Sequence, residues 1–177
     1  MKTRESGSIR SRRKSLAQTP ARVRIGLTLG DWNGIGPETA LRAAQAVRMG
    51  SFPDVELVLI GCSQGLSQQA GHWGLIPPPP LPTLSLDLPV RPNVSIWNPN
   101  PDCSIDWTPG RVTAAASVAA RVWIEAGTDA CLSGELDGLV TGPVCKEGFQ
   151  KAGIDFPGHT ELLAARTGAT RVGMMLI

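Results

Sequence analysis

Apolar residues recur in two rhythms along this chain, and the changes from one to the other mark out its elements. Residues 23–29 and 55–60 are short, nearly unbroken apolar runs that predict strands. Each leads into helical spacing, with Leu41, Ala44 and Val47 on one face of a helix over 37–47 and a second helix over 63–71. Pro37 suits a first helical position, where its missing N–H is not needed and its φ is already helical. Continuous apolar strands alternating with helices predict an α/β fold, a mostly parallel sheet flanked by helices.

Between residues 77 and 110 both rhythms break. Prolines recur from Pro77 to Pro80 and again at Pro82, Pro89, Pro92, Pro99, Pro101 and Pro109. Two alternating pieces, 84–88 and 94–98, are expected as edge strands of a small antiparallel element, because proline tolerates an edge. A polyproline recognition segment is the alternative. Residues 111–126 restore helical spacing with a broad apolar face that includes Trp123 and Ile124, and the helix is expected to run on toward Gly134. A strand is expected within 136–141, then helices over 147–152 and 160–167, with Gly168 as the stop. Residues 172–177 read as a last strand. A strand seldom ends a chain without partners on both sides, so a longer protein is expected.

Two stretches carry candidate chemistry. Gly30, Gly34 and Gly36 join the first strand to the first helix, as phosphate-binding turns do. The stretch is not a full G-x-G-x-x-G and lacks the Lys-Ser/Thr of a P-loop, so a tight structural turn is the expectation. The second stretch, 141–161, holds two turn signals, Gly142-Pro143 and Pro157-Gly158. His159 and Thr160 fall where a helix begins. An imidazole, a hydroxyl and unpaired backbone N–H groups there suit an anionic ligand, with a plain turn as the alternative. His72, beside Trp73 with no acidic residue or cysteine next to it, reads as a surface or packing histidine.

Composition narrows the partners. The net charge of +2 is unevenly spread: residues 1–24 hold eight Lys or Arg against one Glu, leaving nine basic and fourteen acidic residues, a net of −5, in the rest. That distribution gives nucleic-acid binding little support. Residues 1–22 have too few apolar side chains to fold and are expected to be a disordered basic tail, with an organelle transit peptide as the alternative. Residues 23–177 then form one α/β unit. No run of 18 apolar residues predicts a membrane span, and no apolar secretory leader is present, so a cytoplasmic location is expected. Cys62, Cys103, Cys131 and Cys145 show no C-x-x-C spacing and are expected as thiols.

Several motifs together resemble the 4-hydroxythreonine-4-phosphate dehydrogenase family. They are Gly30-Asp31-x-Asn33-Gly34-Ile35-Gly36-Pro37-Glu38, Leu139-Val140-Thr141-Gly142-Pro143-Val144-x-Lys146, Ala152-Gly153-Ile154, Phe156-Pro157-Gly158-His159-Thr160-Glu161 and Met174-Met175-Leu176. The resemblance spans residues 23–177 in order and spacing. Cys145 stands where the family usually has His or Asn, and Trp32-Asn33 where it commonly has Pro-Ala. The resemblance implies NAD-dependent oxidation of the secondary alcohol of 4-phosphohydroxy-L-threonine, then loss of CO2, in pyridoxal 5'-phosphate (vitamin B6) synthesis. It also implies a divalent metal ion (Zn, Mg or Co) acting on the hydroxyl, a fold like that of isocitrate and isopropylmalate dehydrogenases, and an active site shared across a homodimer. By position, His159 and Thr160 match the family's substrate-binding pair. Catalytic and cofactor-binding residues are not assigned. Family members are much longer and place their metal-binding histidines beyond residue 177. No metal ligand is therefore assigned here, and the isolated chain is expected to be inactive. The alternatives are a related dehydrogenase of phosphorylated threonate or erythronate, and a non-enzymatic truncated remnant.

Overall fold

The structure, a computed structural model, describes residues 22–84, 92–101, 105–173 and 175. The two apolar runs near its start pair directly: β1 (Val23–Thr28) lies parallel to β2 (Val55–Ile60), with Val23 opposite Val55 and Thr28 opposite Ile60. The sheet is completed by β3 (Pro80–Leu81), β4 (Val94–Trp97) and β5 (Gly138–Val140), in the order β3-β4-β2-β1-β5, and every pairing is parallel. Its helices are α1 (Gly36–Arg48), α2 (Ser63–His72), α3 (Ala114–Leu132), α4 (Lys146–Lys151) and α5 (His159–Thr167). The expected α/β fold, a parallel sheet flanked by helices, is the one observed.

α1 packs against β2, β4 and α2, whereas α3 packs against β1 and β5 and carries α4 and α5. From β1 the chain steps outward to β2 and on to the edge strand β3, fills the gap between them with β4, then returns past β1 to form β5. Right-handed crossovers of opposite travel put α1 and α3 on opposite faces. The strand order therefore reverses between β1 and β5, the position where open α/β sheets place ligand crevices.

The core follows from this layering. Leu57 to Ile60 of β2 are buried without a break, as a strand covered on both faces requires. Gly127 lets α3 close on the sheet, since a Cβ there would sit 2.6 Å from Leu139 and 2.9 Å from Ile60. Trp32 and Trp123, both fully buried, meet edge to face at 5.9 Å.

Three expectations need correction. The proline-rich stretch gives no antiparallel element among the described residues: β4 is flanked by β2 and β3, both parallel to it. Within the strands described, proline occurs only in the two-residue edge strand β3, where a missing donor costs nothing on the open side. The expected strand at 84–88 lies outside the described residues except for Leu84, which is buried but not in a strand. Of the expected strand at 172–177, residues 172, 173 and 175 are described and are not in a strand, with Val172 and Met175 57% and 81% exposed. Helix α3 begins at Ala114 rather than at 111, because Thr113 takes the cap position and accepts from the Ala116 N–H at 3.2 Å.

Arg24, counted by sequence with the basic tail, belongs to the core. Its side chain is 3% exposed, its Nε lies 2.8 Å from Oε1 of Glu56, and it donates to the Leu84 carbonyl at 2.6 Å. The two residues sit opposite each other in the β1–β2 register, which is why the pair forms. Apart from Arg22, the expected basic tail lies outside the described residues. No helix among the described residues is long and apolar enough to cross a membrane.

Candidate functional site

The glycine turn after β1 lies at the reversal point of the sheet, and it packs directly against the backbone of the turn after β5. A Cβ on Gly36 would sit 2.0 Å from the Leu29 carbonyl oxygen, and one on Gly142 would sit 2.5 Å from that of Thr28. Gly30 has φ +68° and faces the Pro143 oxygen, 2.4 Å from where a Cβ would stand. The Asp31 N–H donates to the same Pro143 oxygen at 2.7 Å. The Gly142 N–H donates to the Thr28 carbonyl and hydroxyl at 3.1 and 3.0 Å. These contacts make the stretch a tight strand-to-helix turn.

Asn33 extends the seam. Its amide donates to the Arg111 carbonyl (3.1 Å) and the Thr113 hydroxyl (3.2 Å), and its Oδ1 accepts from the Thr108 N–H at 2.8 Å. The residue is 3% exposed and fixes the segment leading into α3. Sequence reasoning missed this role, since its partners lie 75 to 80 residues away and leave no local signal.

The second stretch keeps an opening. Phe149 and Ile154 pack with Ala120 of α3 in a small separate core, with Val144 and Phe156 at its margin, and so anchor the loop between β5 and α5. Gly158 precedes α5 with extended backbone and no side-chain cap, leaving the first N–H groups of the helix without an intrahelical partner. His159 and Thr160 are the first two residues of α5 and are half-buried. The His159 Nε2 stands 3.1 Å from the Gly142 carbonyl. A carbonyl only accepts, so Nε2 carries the hydrogen and Nδ1 is left for other partners. That bond joins the two turn signals of the stretch into one corner.

A cavity of about 410 Å³ opens at this corner, lined by Lys146, His159, Thr160 and Glu161 and walled by the Pro143 and Pro157 turns. Neither the Lys146 nor the Thr160 side chain is engaged in a hydrogen bond or ion pair among the described residues. One ammonium, one hydroxyl, an imidazole and a helix N-terminus suit a phosphorylated, hydroxylated molecule. Glu161 adds an opposing carboxylate at the rim, and it is exposed enough to turn toward solvent. Cys145 precedes α4 without a side-chain cap bond, so its thiol does no capping work there.

Among the described residues, the other histidine and the cysteines do not line this cavity. His72 stands edge-on to Trp73 and Trp107, with ring centres 6.2 and 5.2 Å away, as a packing histidine does. Cys62, Cys131 and Cys145 form no disulfide, and Cys103 lies outside the described residues. Burial, and then the nearby Asp137 carboxylate, push the Cys131 thiol above its ordinary value, which keeps it protonated at neutral pH. Among the described residues no three His, Cys, Asp or Glu side chains gather as metal ligands. The residues present therefore do not fit the metal ion that the resemblance implies.

Residues 62–177 match the family model described as pyridoxal phosphate biosynthetic protein PdxA. The chain belongs to the PdxA family. A PdxA-family relative from Desulfosudis oleivorans, a 4-hydroxythreonine-4-phosphate dehydrogenase, is 35% identical over 157 residues, which cover 86% of this chain and 44% of that protein. A relative from Cutibacterium acnes, named provisionally as a D-threonate 4-phosphate dehydrogenase, is 33% identical over 167 residues, with 86% and 44% covered. The crystal structure of a 4-hydroxythreonine-4-phosphate dehydrogenase from Burkholderia phymatum superposes with a TM-score of 0.73 at 26% identity, covering 88% of this chain and 47% of that one. The chain thus spans less than half the length of these relatives, and it shares the isopropylmalate-dehydrogenase-like α/β fold of its PdxA neighbours.

Proposed function

We propose that this chain carries the substrate-phosphate corner of a 4-hydroxythreonine-4-phosphate dehydrogenase of vitamin B6 synthesis. The reaction in this reading is oxidation of the secondary alcohol of 4-phosphohydroxy-L-threonine with NAD, followed by loss of CO2. The observation that carries the reading is the His159–Thr160 pair at the uncapped start of α5, opening on a cavity that also holds Lys146. Family membership and the relatives' names support it.

Each residue has a separate task. The Lys146 ammonium and the first N–H groups of α5 offset the phosphate charge, and the Thr160 hydroxyl donates to a phosphate oxygen. His159, held through Nε2 by the Gly142 carbonyl, presents a fixed ring edge to the ligand. The chain's own part is to bind and orient. The metal ion and NAD belong to residues other than those described, and no step is assigned to them here. A cytoplasmic homodimer sharing its active sites is part of the same reading. The name of the Cutibacterium relative favours a second substrate, a phosphorylated threonate, at the same corner.

Calorimetric titration of the chain with 4-phosphohydroxy-L-threonine and with threonate 4-phosphate tests the proposal. Binding of at least one ligand is expected, weakened about tenfold or more by either His159→Ala or Thr160→Ala, the loss of one charge-assisted or hydroxyl hydrogen bond. No NADH formation is expected from the chain alone. Equal affinity in wild type and both variants would overturn the assignment of the pair.

A further inference from the structure

A second cavity, about 230 Å³, lies between α2 and the segment at 105–107 and shares no lining residue with the His159 corner. Its walls include Trp32, Trp107, Gln64, Gln68, Gln69 and Asp106. Gln69 is 1% exposed, yet neither its Oε1 nor its Nε2 has a hydrogen-bond partner. Trp32 is fully buried on the same cavity, and its indole N–H is also unpartnered. Buried polar groups are nearly always satisfied, so two orphaned groups at one cavity point to a missing partner. The core forces this arrangement: a Cβ on Gly65 would stand 2.5 Å from the Trp32 ring, so α2 is pressed against the indole.

The chemistry of the walls limits what fits. A carboxamide offers a donor and an acceptor side by side, and it is matched by an edge that presents the reverse pair. Trp32 and Trp107 are aromatic, suiting a flat ring, and the Trp32 N–H can donate to a further acceptor. Asp106 and the two exposed glutamines supply polar groups at the mouth. We propose that this cavity binds a small, neutral, planar ring with a cis-amide edge, of the kind presented by pyrimidine bases and lactams, held by Gln69 and Trp32. The proposal is independent of the dehydrogenase reading, because it shares no residue with that corner.

Isotope-labelled chain titrated with uracil and 2-pyridone, while the Trp32 indole and Gln69 carboxamide resonances are followed, tests this. Saturable shifts of both resonances with at least one probe are expected, together with none from N-methyl-2-pyridone, which keeps the ring but lacks the donor. Gln69→Leu is expected to weaken binding by about tenfold or more while leaving the fold as stable or more so, since an orphaned polar group is removed. No saturable shift with either probe means a merely hydrated cavity and overturns the proposal. Equal binding of the N-methyl compound means unspecific apolar filling and overturns it too. Should Gln69→Leu fail to fold, the comparison of the three probes on the unaltered chain decides alone.

Discussion

At the scale of single residues, side chains that look alike in sequence divide into those that hold the backbone and those that line an open cavity. Asn33 and Thr160 are both small polar residues beside a helix start, but Asn33 spends its amide on three bonds to residues 108–113. Asn33→Ala would leave the part-buried Thr108 N–H and the Arg111 carbonyl without their partner, and about 1–3 kcal/mol of stability should be lost. A urea unfolding curve measures this, and a loss under ~0.5 kcal/mol would contradict the role. The position of His159 and Thr160 at a helix start was legible from the turn chemistry around them, because a Pro-Gly turn followed by a helix start is a local pattern. Asn33 was not legible, because its partners are chosen by the fold. Arg24 was misread for the same reason: a charge next to a basic tail looks solvated until the facing strand supplies Glu56.

At the scale of elements, α5 is held on α3 partly by charge. Asp129 on α3 accepts from the Arg166 Nε at 2.7 Å and from a second guanidinium nitrogen. The hydrogen bond to Arg166, then its charge, hold the Asp129 carboxyl below its ordinary value. A depressed carboxylate stabilises the docked helix above the unfolded value, about 3.9, and loses that effect as pH falls through the lower folded value. The Arg166 Nε–H resonance should therefore stay constant from neutral pH to about 4 and move only in more acid solution. Asp129→Asn should abolish that acid-limb movement, and an unchanged titration in the variant would refute the coupling. Both groups are largely exposed, so added salt weakens the effect. Helices and long strands were read correctly because their periods are local. The proline-rich stretch was not, since whether β4 lies inside the sheet or at its edge depends on β3, a strand of only two residues.

At the scale of the whole molecule, the parallel sheet sorts its two ends by task. The ends of β1 and β5 carry the seam and the His159 corner, while the starts of β1 and β2 carry the buried Arg24–Glu56 pair. Removing one member of a buried pair strands the other, so Glu56→Gln should cost about 3–5 kcal/mol in equilibrium unfolding. The double change Arg24→Met with Glu56→Leu should be more stable than Glu56→Gln alone, and a double variant at least as unstable would show that the pair is not a unit. The glycine seam bears on how such genes drift. Every missense change at a glycine codon adds at least a Cβ, and at Gly36 or Gly142 that carbon would meet backbone oxygen within 2.0 or 2.5 Å. Such alleles would be purged for misfolding whether or not the product still turns over a substrate. A reading frame that keeps these glycines therefore advertises an intact architecture, and by itself says nothing of the His159 corner.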